Sequence, residues 1–387
     1  MTQPPSIFPP RHPTDSGGSF AYENWRAAHD GLRAGDAFEY PLYSDARLAG
    51  ECRLGPYSLL NATADARGQA ALVLRAEAHV TWSYADMSQT DASRYHGGSD
   101  SDEVTCLLAL ALGCRLKAGD PNRHFQARGD PRGRPWSFRL TGRADPIPPA
   151  ISRLGSLIPS LLTERNISSA DPLLAEFFRL APLKSVAVVK SARLYQEAVW
   201  IVDSDPAQAW ILLVSAIETA ANYWRGGQMM PREKLHGSKP KLELLLITAG
   251  GEGLADQVAE MIADSLGATA KFLAFCIEFL PSAPTIRPER AEARLSWESR
   301  GKMKAALGLV YHYRSLALHA GIPFPAPMCT SAFSQNASVE RPPFGSMGSM
   351  GGTWRSKEIP MFIHLFEYIV RNCLTKWWLQ DMPHPAA

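Results

Sequence analysis

The sequence predicts a multidomain α+β protein, with a β-rich N-terminal domain followed by an all-α helical domain. Three observations carry that prediction. Between about residues 20 and 144, short apolar runs such as Ala70–Leu74 and His79–Trp82 alternate with Gly, Asp, Asn and Ser clusters, the punctuation of short strands. From Leu154 onward the apolar residues recur every three or four positions, as on amphipathic helices. Between these patterns the proline-rich Asp145–Ile151 restricts the backbone and removes ladder donors, which marks a joint.

The resulting domain reading places a disordered proline-rich arm at 1–19, the β-rich domain at 20–144, a linker with connecting helices at 145–184 and the helical domain at 185–387. The arm lacks the apolar core of a secretory leader, so no cleaved signal is expected. One short helix is expected inside the β-rich domain at Asp102–Leu112, with its acidic residues at the dipole-favoured start. In the helical domain the clearest helix starts at Asp205-Pro206-Ala207-Gln208, where Asp caps and Pro suits the first helical position, and runs through Trp224. Further helices are expected at Lys239–Thr248, at Leu254–Phe279 with a break near Gly267, and at Glu289–His319, where Gly321 and Pro323 forbid continuation. A flexible Gly/Ser/Met-rich loop at 330–353, without a core of its own, precedes a last helix over roughly Pro360–Leu379.

Composition limits the functional classes. The chain has 387 residues, 45% hydrophobic and 20% charged, enough to bury a sizeable core, and a formal charge of only +2. Any nucleic-acid surface must therefore be local. The segment Arg115–Arg143 offers one: its net charge is +6, with Phe125, Trp136 and Phe138 interleaved. Arginine with aromatic rings can hold phosphates and stack bases, making Arg123, Arg128, Arg132, Arg134 and Trp136 candidate nucleic-acid contacts. A solvated hairpin with glycine-rich turns is the alternative for the same residues. The six cysteines form no C-x-x-C pair and are expected to be reduced. The apolar segments Trp210–Ile217 and Met361–Leu379 are too short or too charged to span a bilayer, so a cytoplasmic protein with no membrane partner is expected.

The sequence contains no G-x-x-x-x-G-K-[ST], H-E-x-x-H, G-x-S-x-G or strand-linked G-x-G-x-x-G, and its ten histidines are scattered. No metal site and no cofactor are expected. What stands out is Tyr311–Gly321, which carries Arg314 and His319 five residues apart, about 140° and about 7.5 Å from each other on an ideal helix. His312 lies seven residues before His319 on nearly the same stripe, with Ser315 between them. Taken alone, Arg314 and His319 read first as a solvated helix flank and a histidine at the negative end of a helix dipole. Glu218, with Asn222 one turn later, faces the same choice: it orients Arg314 or a histidine across the bundle, or it forms a structural ion pair.

Several segments in order, AWILLVSAIETAANYW (209–224), KFLAFCIEFLP (271–281), YRSLALHAGIPFPAPM (313–328) and FEYIVRNCL (366–374), resemble the Apea-like branch of HEPN-domain proteins over roughly residues 185–380. The family's R-x4-6-H motif falls on Arg314 and His319. The resemblance implies an antiparallel helical bundle with this pair near a dimer groove, hence a homodimer. It also implies RNA as substrate: active relatives are metal-independent endoribonucleases, some of them toxins or antiviral defence effectors, and others are non-catalytic. Active members often carry Asn, Asp or His after the motif arginine, where this chain has Ser315. Metal-free RNA cleavage needs a base for the ribose 2′-OH and a cation for the phosphate oxygens, which His319 and Arg314 can supply. The alternative is a non-catalytic dimerisation and binding module whose N-terminal domain senses nucleic acid or a protein trigger.

Overall fold

The computed structural model describes residues 16–62, 71–80, 90, 92–127, 130–135, 144–149, 155–225, 230–262, 267–331, 339–342, 346–349 and 351–380. The chain divides into two compact units, Met1–Asp205 with Trp377–Ala387, and Pro206–Lys376. The division therefore falls after Asp205, downstream of the expected boundary at 184 and 185.

The first unit is a mixed structure built on an antiparallel sheet. Its strands are β1 (Ala37–Tyr43), β2 (Leu48–Ala49), β3 (Cys52–Leu54), β4 (Tyr57–Asn61), β5 (Leu72–Glu77), β6 (Lys117–Ala118), β7 (Arg123–Phe125), β8 (Arg134–Pro135) and β9 (Arg165–Asn166). The sheet runs β3-β4-β5-β1-β7-β8, with β6 also paired to β1, while β2 and β9 form a separate parallel pair. In β5 the residues Leu72, Leu74 and Ala76 are buried and their neighbours are partly exposed, the period-2 pattern that fixes register against β1 and β4. His79 lies beyond β5, so the strand expected at His79–Trp82 does not form in its described part.

Helices α1 (Phe20–His29), α2 (Asp100–Leu112), α3 (Asp171–Ala175) and α4 (Pro182–Ile201) complete this unit. Helix α2 starts two residues earlier than expected because Ser99 and Asp102 form a capping box. It is buried along most of its length and packs on α4, which explains why α4 belongs to the first unit rather than to the helical domain. Glu103 of α2 is fully buried and accepts the backbone N–H groups of Phe20 and Ala21 at 3.1 and 2.6 Å. A carboxylate there satisfies donors at the positive end of α1, a helix that the reading of 20–144 as β-rich overlooks. Arg115 is also fully buried, ion-paired to Asp45 and Asp203 and donating to the Val199 carbonyl at 2.7 Å.

The second unit is mostly helical, with α5 (Pro206–Trp224), α6 (Pro231–Ser238), α7 (Pro240–Ile262), α8 (Ala268–Glu278), α9 (Arg300–Ala320) and α10 (Ile363–Leu379), whose last residues from Trp377 count with the first unit. Gly251, at φ 77°, breaks α7, and Gly267, at φ 80°, caps α8, so the expected interruption near Gly267 is present. Helix α9 begins at Arg300 rather than Glu289, because the Ser299 side chain caps it. It ends at Gly321, whose φ of 66° and N–H bond to the Leu316 carbonyl close the last turn.

In α5 the residues Ala209, Trp210, Leu213, Val214, Ala216, Ile217, Ala220 and Ala221 are buried, the helical spacing read from sequence. Helix α5 packs on α8 and α9. The Trp210 ring stacks between Phe324 and Phe366, with centroids at 5.5 and 4.8 Å, and its Nε1–H donates to the Met328 carbonyl at 3.0 Å. No helix among the described residues is long and apolar enough to cross a membrane.

The stretch expected to be a coreless loop is ordered in its described part. Strands β10 (Ser346–Ser349) and β11 (Gly352–Arg355) form an antiparallel hairpin, and Glu340 is only 2% exposed. Arg287 reaches that carboxylate through Nε at 2.9 Å and Nη2 at 3.1 Å, anchoring the segment to the helical unit.

Replacing Trp210 with alanine should destabilise the protein by about 3–5 kcal/mol, through lost burial, a cavity and an orphaned Met328 carbonyl. Denaturant unfolding of wild type and Trp210→Ala checks this.

Candidate functional site

In the helical unit, α5, α8 and α9 border an open groove of about 1130 Å3. Helix α9 contributes Tyr311, Arg314, Ser315 and His319, α5 contributes Glu218, and α8 contributes the apolar Leu273 and Ile277. Three further cations, Arg225, Lys239 and Lys304, line it, against Glu218 and Glu278.

Glu218 organises the charged end. Its Oε2 accepts from Arg314 Nη2 at 2.6 Å, and its Oε1 accepts from the Tyr311 hydroxyl at 2.8 Å. The ion pair is mostly shielded, with side-chain exposures of 17% for Arg314 and 16% for Glu218. The guanidinium also lies 5.6 Å from the Tyr311 ring centroid. Its buried Nε–H has no acceptor among the described residues, so one donor beside the groove remains unspent. Burial, then the negative charge of Glu218, pushes the Tyr311 hydroxyl up to about 12 and keeps it a donor.

His319 occupies the last turn of α9, is exposed, and has no hydrogen-bond or ion-pair partner among the described residues. The structure thus brings Glu218, Arg314, Ser315 and His319 to one groove. It does not bring His312 or Asn222 there. His312 lines a different groove, on the side of α9 next to the one that Lys304, Tyr311 and Ser315 border. Asn222 accepts from Lys271 Nζ at 3.1 Å, and neither of these two residues lines the groove.

Tyr311 is the partner that the sequence reading missed. The available signal was its position three residues before Arg314, which places both side chains on one helical face.

The basic stretch of the first unit is not a uniform cationic face. Arg115 is buried between two aspartates, and Lys117 pairs with Glu197 at 2.6 Å. Arg123 donates to the Arg132 carbonyl at 2.7 Å and approaches Glu39 at 3.7 Å, while Phe125 lies under the Arg75 guanidinium at 4.5 Å. Arg132 is exposed, and Arg134 is exposed but paired with Asp130 at 2.8 Å. Arg128 and Trp136 lie outside the described residues.

Among the described residues no group of three or more His, Cys, Asp or Glu is placed to hold a metal ion. Comparison with family models, curated proteins and solved structures finds no match.

Replacing Glu218 with alanine should cost about 2 kcal/mol, because it removes a charged acceptor from two partly buried donors. It should also move the Tyr311 hydroxyl from about 12 toward its ordinary value, measurable as tyrosinate absorbance against pH. Because the folded-state value is raised, the stability from neutral Tyr311 is complete below about pH 10 and is lost as pH rises through about 12.

Proposed function

We propose that the helical unit is a metal-independent endoribonuclease of the HEPN type, acting as a toxin or antiviral defence effector. The observation that supports this most directly is the convergence of Arg314, Ser315 and His319 on one groove whose lining includes three further cations. On this reading the groove takes an RNA strand, with its phosphate near Arg314. His319 accepts the ribose 2′-OH proton as that oxygen attacks the adjacent phosphorus. The P–O5′ bond then breaks, and the departing 5′-oxygen takes a proton from an imidazolium. The products are a 2′,3′-cyclic phosphate and a 5′-hydroxyl. Arg314 offsets the charge that grows on the non-bridging oxygens. Glu218 fixes the guanidinium through Nη2. A homodimer would set two such pairs along one groove, so that one histidine serves as base and its mate as acid.

A specific observation favours a second reading, a non-catalytic binding module whose N-terminal unit senses nucleic acid or a protein trigger. Arg314 is already charge-compensated by Glu218, and Ser315 departs from the residue types common after the motif arginine in active relatives. This reading gives salt-sensitive RNA binding without product.

The deciding experiment is cleavage of a mixed RNA pool by wild type, Arg314→Ala and His319→Ala in excess EDTA, with analysis of product ends. The enzyme reading expects cyclic-phosphate ends from wild type and at least about a hundredfold loss in either variant, with melting temperatures that show both still folded. Full activity in His319→Ala, or activity only with added metal, overturns it.

A further inference from the structure

The helical unit holds a second groove, of about 590 Å3, that shares no lining residue with the one containing Arg314 and His319. Three cations and one imidazole line it: Lys302 and His312 from α9, with Arg341 and Lys357. Met303 and Leu309 contribute an apolar floor, and Gly308 leaves open space where a side chain would stand.

Its lining is cationic. Among the described residues no Asp or Glu lines this groove, and none of the side chains of Lys302, His312, Arg341 and Lys357 has a hydrogen-bond or ion-pair partner. The Nε–H of Arg341 is buried and lacks an acceptor. The acids adjacent in sequence make their hydrogen bonds to other arginines, though Glu358 also feels the charge of Lys357. Glu340 accepts from Arg287 at 2.9 and 3.1 Å, and Glu358 accepts from Arg355 Nε at 3.0 Å and from its backbone N–H at 2.9 Å. Like charges repel, so this arrangement is suited to an external anion.

We infer that this groove binds a small organic polyphosphate, an ester carrying at least two phosphate groups. Lys302 and His312 stand about 15 Å apart along the axis of α9, more than one phosphate covers. Arginine offers a forked donor set matched to phosphate oxygens, with lysines as further point charges. The volume falls within the range of ordinary small-ligand pockets, about 300–1,000 Å3, and the apolar floor can hold an organic body. A single-stranded nucleic acid fits less well, because among the described residues no Phe, Tyr or Trp lines the groove to stack bases.

The test is isothermal titration of the full chain with inorganic pyrophosphate and with ADP at low salt. Wild type, Arg341→Gln and the double variant Lys302→Gln/Lys357→Gln are compared. Both probes should bind wild type, bind the two variants at least tenfold more weakly, and bind more weakly as salt rises. The two lysines are exposed, so the double variant keeps the test decisive if Arg341→Gln fails to fold. The inference is overturned if neither probe binds at millimolar concentration, if binding is unchanged in the double variant, or if only a single-stranded RNA oligonucleotide binds.

Discussion

Glu218 holds the Tyr311 hydroxyl with one carboxylate oxygen and the Arg314 guanidinium with the other, and this pairing ties α5 to α9 where the larger groove opens. The carboxylate stands on the same helix as Trp210, whose stacked ring and indole bond fix α5 in the core. Packing therefore decides where the carboxylate is, and the carboxylate decides where the guanidinium is. Arg314 gains geometric definition and loses part of its free charge.

The same accounting of charge separates the cationic regions of the chain. Arg115 and Lys117 belong to the most basic stretch of the sequence, yet both are paired internally, Arg115 with no exposed surface. Burying a guanidinium requires partners for its donors, and Asp45, Asp203 and the Val199 carbonyl provide them. In the helical unit the order is reversed. Lys302, His312, Arg341 and Lys357 are dispersed in sequence, yet they line one groove, while Glu340 and Glu358 accept from Arg287 and Arg355.

Helix α9 carries both situations along its length. Arg314, Ser315 and His319 face a groove lined by Glu218 and Glu278, whereas Lys302 and His312 face one that no Asp or Glu among the described residues lines. The two grooves overlap in their extent along α9 and border different sides of it: Lys304, Tyr311, Arg314, Ser315 and His319 line one, and Lys302, Leu309 and His312 the other.

The sequence by itself determined the features that depend on neighbours along the chain. The mixed architecture, the core face of α5, the break near Gly267 and the end of α9 at Gly321 were legible, because periodicity and glycine conformation are local. The adjacency of Arg314, Ser315 and His319 on one helix was legible for the same reason. Only the tertiary structure decided that α4 belongs with the first unit, that Glu218 pairs with Arg314 and Tyr311, that His312 and Asn222 stand outside the larger groove, and that Arg115 is core rather than surface. Each depends on which side chains distant in sequence become neighbours, and a charge has no fixed meaning until its partner and its exposure are known.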